Sequence, residues 1–286
     1  DQLISINDTL SNNWSYSYDT LGRKTIEVDP DRGLWNYSYD SVGNLISQTD
    51  GKNKTITLNY DSLRRKTSEI YQGGSINYTY DIYTNNTLSM VNKDKFYFNY
   101  TYDNRFRKTN EKLKTDSFEF TIDTTYDSAD RIDYQVLPDG RVINFTYDNQ
   151  SRISAIVGLA DSISYNANNN PLNISYSNGL VTNYTYNEGN FRLAEIETIG
   201  KKDLDYLYDN VGNVIEINDS TNNLNYSMSY DELDRLIYTR ITGSTSVTME
   251  FIYNAIGNIM NVTGTNKADY YYQNSKPHAT SRVVYY

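Results

Sequence analysis

The chain has 286 residues, with 26 Lys and Arg against 36 Asp and Glu and a formal net charge of -10, and its pI is near 4.7. Such a surface is a poor match for nucleic acid, and with no cysteine neither disulfides nor thiolate metal sites can hold the fold. A mean hydropathy of -0.70 would suit a disordered chain, but 30 tyrosines supply large rings that such chains lack.

The first clear element is a strand ending on Tyr18, in which Trp14, Tyr16 and Tyr18 alternate with Ser15 and Ser17, a period of two. Asp19 to Gly22 read as a turn, because glycine accepts positive φ without steric cost. Arg23 then opens a second, weaker strand. The unit recurs down the chain at Tyr39, Asp40 and Gly43, at Tyr60 and Asp61, Tyr80 and Asp81, Tyr102 and Asp103, Tyr126 and Asp127, and Tyr147 and Asp148. It continues at Tyr165 and Tyr186, at Tyr208, Asp209 and Gly212, at Tyr230 and Asp231, at Tyr253 and, degenerately, at Tyr272. The turn residue four positions after the tyrosine is elsewhere Gly257, Asp130, Asn169 or Asp234. The second strand follows, as in Asn44 to Ile46 or Val214 to Ile217.

About thirteen repeats of about 21 residues each result, which is the length of two six-residue strands and two short turns. The expected fold is therefore all-β: tandem hairpins forming one array over residues 1–286, with almost no helix and four prolines, Pro30 and Pro138 among them in turns. Ala160 to Gly179 is the least regular stretch and reads as an insertion or a looser turn. Apolar runs such as Ala155 to Ala160 are far shorter than the ~20 residues that span a bilayer, so no membrane insertion is expected. The start at Asp1, with no signal peptide and the repeat phase set by Trp14, reads as a processed product or an excerpt of a longer chain.

Tyr16 to Arg23 (YSYDTLGR), Tyr37 to Asn44 (YSYDSVGN) and Tyr206 to Asn213 (YLYDNVGN) resemble the YD or Rhs repeat, and the resemblance covers nearly the whole chain. Pro277, His278 and Ala279 are similar to the PHA segment found late in such arrays. The resemblance implies a continuous β-sheet spiral, as in the hollow shells of bacterial toxin complexes and the barrel of teneurin receptors. Toxin activity in that family resides in variable C-terminal domains, and shell self-cleavage depends on a core region that this segment lacks, so no catalytic role carries over.

The residues themselves offer little to an enzyme. His278 is the single histidine, and an aspartate repeated every period is a structural device rather than one active site. Asp19 with Arg23, or Asp148 with Arg152, reads as a turn carboxylate accepting backbone N–H groups beside an arginine. Stacked turns would build a like-charge ladder that calcium could relieve; no other cofactor is implied. Trp14 and Trp35 share the packing phase of Ile56 and Ile76 and read as core rather than as sugar platforms.

N-glycosylation sequons occur at Asn7, Asn13, Asn36, Asn53, Asn77, Asn85, Asn99, Asn144, Asn149, Asn173, Asn183, Asn218, Asn225 and Asn261. Asn36, Asn77, Asn99, Asn144 and Asn183 sit three residues before a motif tyrosine, on the polar face. The sequence reading is a non-enzymatic, glycosylated subunit of a prokaryotic cell-surface filament, archaeal or bacterial, joined end to end through unpaired sheet ends. The alternatives are a segment of a YD-repeat cocoon around a toxin or effector, and an adhesion module.

Overall fold

The computed structural model describes residues 2–82, 84–265, 267–273 and 276–286. Its elements are all strands, and none of the described residues is helical. The first thirteen are β1 (Ser5–Asn7), β2 (Asn13–Tyr18), β3 (Lys24–Asp29), β4 (Gly33–Tyr39), β5 (Leu45–Thr49), β6 (Thr55–Tyr60), β7 (Lys66–Tyr71), β8 (Gly74–Tyr80), β9 (Leu88–Lys93), β10 (Phe96–Tyr102), β11 (Lys108–Lys114), β12 (Glu119–Tyr126) and β13 (Ile132–Val136). The remainder are β14 (Val142–Tyr147), β15 (Ile153–Ile156), β16 (Ala160–Tyr165), β17 (Pro171–Tyr176), β18 (Val181–Tyr186), β19 (Leu193–Thr198), β20 (Lys202–Tyr208), β21 (Val214–Asp219), β22 (Leu224–Tyr230), β23 (Leu236–Gly243), β24 (Val247–Tyr253), β25 (Ile259–Gly264), β26 (Ala268–Gln273) and β27 (Lys276–Tyr285).

The chain divides into two compact units, Asp1–Val142 with Gln273–Ala279, and Ile143–Tyr272 with Thr280–Tyr286. In the first, β1 to β13 form an antiparallel meander in which neighbours in sequence are neighbours in the sheet. In the second, β14 to β26 repeat that pattern. From Tyr18 to Tyr253 the motif tyrosine closes the first strand of a hairpin, so in each unit the YD turns share one rim of the sheet and the intervening turns share the other.

Each of these hairpins carries a bulge at its tyrosine: Ser17 faces Ile26 but Tyr18 faces Lys24, leaving Thr25 as an extra residue. The turn residue has positive φ, as in the hairpin loop that pairs a type I turn with a left-handed residue. Gly22, Gly43 and Gly212 fill the position, as do Asp130, Asn169 and Asp234, but so do Arg64, Phe106 and Ser151 at φ 62 to 63. Those three side chains are strained there, at about 1 kcal/mol each, and residue type does not mark Arg64 and Phe106 as turn formers. The stretch from Ala160 to Gly179 is not an insertion. It is the hairpin β16 and β17, with the usual bulge at Tyr165, which faces Pro171, and a second register shift between Ala160 and Ser162; Asn166 reproduces the aspartate's turn bonds to residues 168 and 170.

Among the described residues the buried hydrophobic side chains are only Ala160, Val262 and Ala268. A conventional apolar core is absent from these sheets, and cohesion comes from hydrogen bonds that run from repeat to repeat. The hydroxyls of Tyr18, Tyr39, Tyr60, Tyr80, Tyr102 and Tyr126 donate to the carbonyls of Leu3, Lys24, Leu45, Lys66, Leu88 and Lys108 at 2.8 to 3.0 Å. Each tyrosine thus pins its own strand to the preceding repeat, its neighbour in the sheet, as Tyr39 on β4 does with Lys24 at the start of β3. In the second unit Tyr165, Tyr186, Tyr230, Tyr253 and Tyr272 do the same. Tyr60→Phe is accordingly expected to cost about 1 kcal/mol, the worth of one hydroxyl bond whose carbonyl is left unpaired, measured by urea denaturation.

Candidate functional site

The YD turn is built around one carboxylate. Asp61 Oδ1 accepts the N–H groups of Leu63 and Arg65, both at 2.9 Å, and Oδ2 accepts Arg65 Nε at 2.7 Å. The backbone closes the loop, with Asp61 N–H donating to the Arg65 carbonyl at 3.0 Å. The Arg65 N–H and then its guanidinium hold the Asp61 carboxyl below the usual carboxylate range. Asp19, Asp103, Asp127, Asp148 and Asp231 repeat these contacts with the arginine four residues on, and Asp40 and Asp209 repeat them with Asn44 and Asn213. Asp61→Asn keeps an oxygen for the two N–H groups and is expected to lower the melting temperature less than Asp61→Ala, which strands them. A thermal melt of both variants checks the order.

The arginine also reaches the next repeat. Arg65 lies 4.4 Å over the Tyr80 ring, Arg107 4.6 Å over Tyr126 and Arg235 4.7 Å over Tyr253. Arg23 Nη1 donates to the Asp40 carbonyl at 3.0 Å and Arg192 Nη1 to that of Asp209 at 2.9 Å. Turn, guanidinium and next tyrosine form a ladder along the rim. These aspartates are therefore committed to turn amides and to arginine or asparagine, and a cation ladder along them is not what the turns build. Among the described residues the carboxylates that converge are elsewhere: Glu195 on β19 and Asp203 and Asp205 on β20, with oxygens within 4.8 Å of one another. Thr185 donates to Glu195 at 3.2 Å; nothing else there singles out an ion.

On the opposite rim of the first unit, two carboxylates of β3 are buried: Glu27 is 5% and Asp29 7% exposed. Arg32, in the turn after β3, bridges both, its Nε donating to Asp29 at 2.8 Å. Lys24 and the Tyr37 hydroxyl complete the shell of Glu27, and the N–H groups of Asp31 and Arg32 complete that of Asp29. Burial pushes the Glu27 carboxyl up, but the bonds from Lys24 and Tyr37 outweigh it and hold the group below its ordinary value. Asp29 is held low in the same way by the Arg32 N–H and guanidinium.

His278, on β27, closes a contact 247 residues long in sequence. Its backbone N–H donates to Asp31 Oδ1 and its Nδ1 meets Asp31 Oδ2, both at 2.7 Å. Nε2 faces Asp8 Oδ2 at 3.4 Å, and the ring sits 5.2 Å from that of Trp14. The PHA segment is thus a structural anchor on the first repeats, flanked by carboxylates with no nucleophile among these contacts.

The sequons divide by what their side chains do. Asn13, Asn173, Asn183, Asn225 and Asn261 donate their amide nitrogens to Asn7, Asn183, Glu197, Glu216 and Asp269. Asn77 and Asn218 reach Ser75 and Ser220. Among the described residues, the amides of Asn36, Asn53, Asn99, Asn144 and Asn149 have no such bond, and Asn36 projects from the exposed phase of β4.

The family model of the teneurin YD-shell matches residues 1–155, more than half of the chain. This chain belongs to the teneurin YD-shell family. Of solved structures, it is similar to TcdB2-TccC3, with a TM-score of 0.83 and 16% identity over 95% of this chain and 17% of that one. The same complex without its hypervariable C-terminal region gives 0.80 and 16% over the same shares. A variant of the Photorhabdus luminescens Tc holotoxin pore gives 0.69 and 15%, over 96% of this chain and 18% of that one. No curated protein matches. At these identities the likeness is one of fold, and the chain spans about a sixth of the length of those it matches. The β-sheet spiral of YD hairpins implied by the repeat motif is the fold of this chain.

Proposed function

We propose that this chain is a non-enzymatic wall segment of a secreted or surface-displayed YD-repeat shell that encloses another polypeptide. The observation that carries the reading is the way the sheets cohere. Tyrosine-to-carbonyl pins and arginine ladders hold repeat to repeat, while among the described residues hardly any hydrophobic side chain is buried. Such a sheet is a wall with two faces rather than the packed interior of a globular domain, and it grows by adding repeats. The relatives' fold supports a shell segment better than a filament subunit.

Protease protection of the natural-length protein tests this. Enclosure predicts that a polypeptide copurifying with the array resists protease until the array is unfolded. Cleavage of every copurifying segment at the rate of free peptide would contradict it. Glycans on the wet face are a separate proposal: occupancy is expected at Asn36, Asn99 and Asn149 ahead of Asn173 and Asn261, read by peptide mass spectrometry of exported protein.

A further inference from the structure

The rim that carries Asp31 also holds a cleft. A cavity of about 450 Å³ lies between the turn after β3, the turn after β5 and Lys276, with Trp35 as its wall. A second cavity, of about 310 Å³, shares Trp35 and Lys54 with it and runs on to Gln48, Tyr71 and Gln72. Both volumes are in the range of small-molecule sites. The cleft is shaped by a close approach of the two turns: a Cβ on Gly51 would stand 2.0 Å from the Arg32 carbonyl oxygen. Trp35, expected in the core, is only half-buried, and its indole Nε1 has no hydrogen-bond partner.

The charges are uneven. The two acids lining the larger cavity are both engaged, Asp31 by His278 and Asp50 by the N–H groups of Lys52 and Lys54. Arg32 is engaged by Glu27 and Asp29. Lys52, Lys54 and Lys276 make no close ion pair among the described residues, although the Asp50 carboxylate acts on Lys52 and Lys54 through space, so four cationic side chains face two carboxylates in the cleft's lining on a chain of net charge -10. That local excess of positive charge beside an aromatic wall makes an anion site. The amides of Gln48 and Gln72 and the hydroxyl of Thr55 in the second cavity suit sugar hydroxyls.

We propose that this cleft binds an acidic oligosaccharide, with sulfate or carboxylate groups on Lys52, Lys54 and Lys276 and a sugar ring against Trp35. The test is calorimetric titration of the natural-length protein with a sulfated hexasaccharide, a neutral hexasaccharide and inorganic sulfate. The sulfated sugar is expected to bind, and Lys52→Glu with Lys54→Glu to weaken it about 30-fold or more with an unchanged melting temperature, since both side chains are exposed. Lys276→Ala, on a different strand, should weaken it several-fold. The proposal is overturned if neutral and sulfated sugars bind alike, if inorganic sulfate binds as tightly as the hexasaccharide, if the lysine variants bind as the parent does, or if nothing binds. None of these outcomes bears on whether the array encloses a polypeptide.

Discussion

Arg32→Ala is expected to destabilise the first unit by about 2–3 kcal/mol. The guanidinium is the shared partner of two carboxylates that are more than nine-tenths buried, and removing it leaves Asp29 with no cationic partner and Glu27 with Lys24 alone. The figure lies below the 3–5 kcal/mol typical of breaking a fully buried pair, because the Arg32 side chain is itself 54% exposed and water screens part of its charge. Asp29 also keeps two backbone donors and Glu27 keeps Lys24 and Tyr37. Arg32→Lys should recover less than half of the loss, since an ammonium cannot serve Asp29 and Glu27 with a planar fork.

The same cluster sets a direction with pH. Both carboxyls are held below their unfolded values, so their contribution is present above about pH 4 and is lost as pH falls through the folded values. Urea midpoints for the parent and Arg32→Ala, measured between neutral and mildly acid pH, should converge on the acid side. Parallel curves would mean that Arg32 does not hold these carboxylates.

The second large effect belongs to the anchor. Asp31→Ala removes both the backbone and the imidazole bond of His278 and should free residues 276–279 from the first repeats, at about 2–4 kcal/mol for two bonds to a charged acceptor. His278→Ala removes only the imidazole contacts and should cost about half as much. Hydrogen exchange reads this locally: amide protection at His278 and in the turns holding Asp8 and Asp31 should fall together in Asp31→Ala. Loss of protection throughout the chain would instead mean that Asp31 acts through its own turn.

The repeat was legible because everything that defines it is local. Alternation over five residues, an aspartate and a turn former lie within nine positions of one another, and the tyrosine phase follows from period alone. The partner of the tyrosine hydroxyl was not legible, because it is a backbone carbonyl and any residue can supply it: Leu45, Lys66 and Pro171 serve equally. The Glu27, Asp29 and Arg32 cluster sits in the turn that does not carry the motif. His278 could be flagged only as a family segment, since Asp31 and Asp8 lie at the other end of the chain. Arg64 and Phe106 at positive φ were not legible, because the aspartate three residues earlier closes the turn whatever side chain follows. The sequons were countable, but whether an asparagine amide was free depended on its cross-strand neighbour, as Asn173 opposite Asn183 shows.

We propose that these repeats are a stretch of shell wall. Electron cryomicroscopy of the natural-length protein tests it most directly. Closed hollow particles are expected, with a wall that is a single sheet of YD hairpins and density inside that belongs to another polypeptide. Open fibres growing by end-to-end pairing of the array, with no enclosed volume, would contradict it.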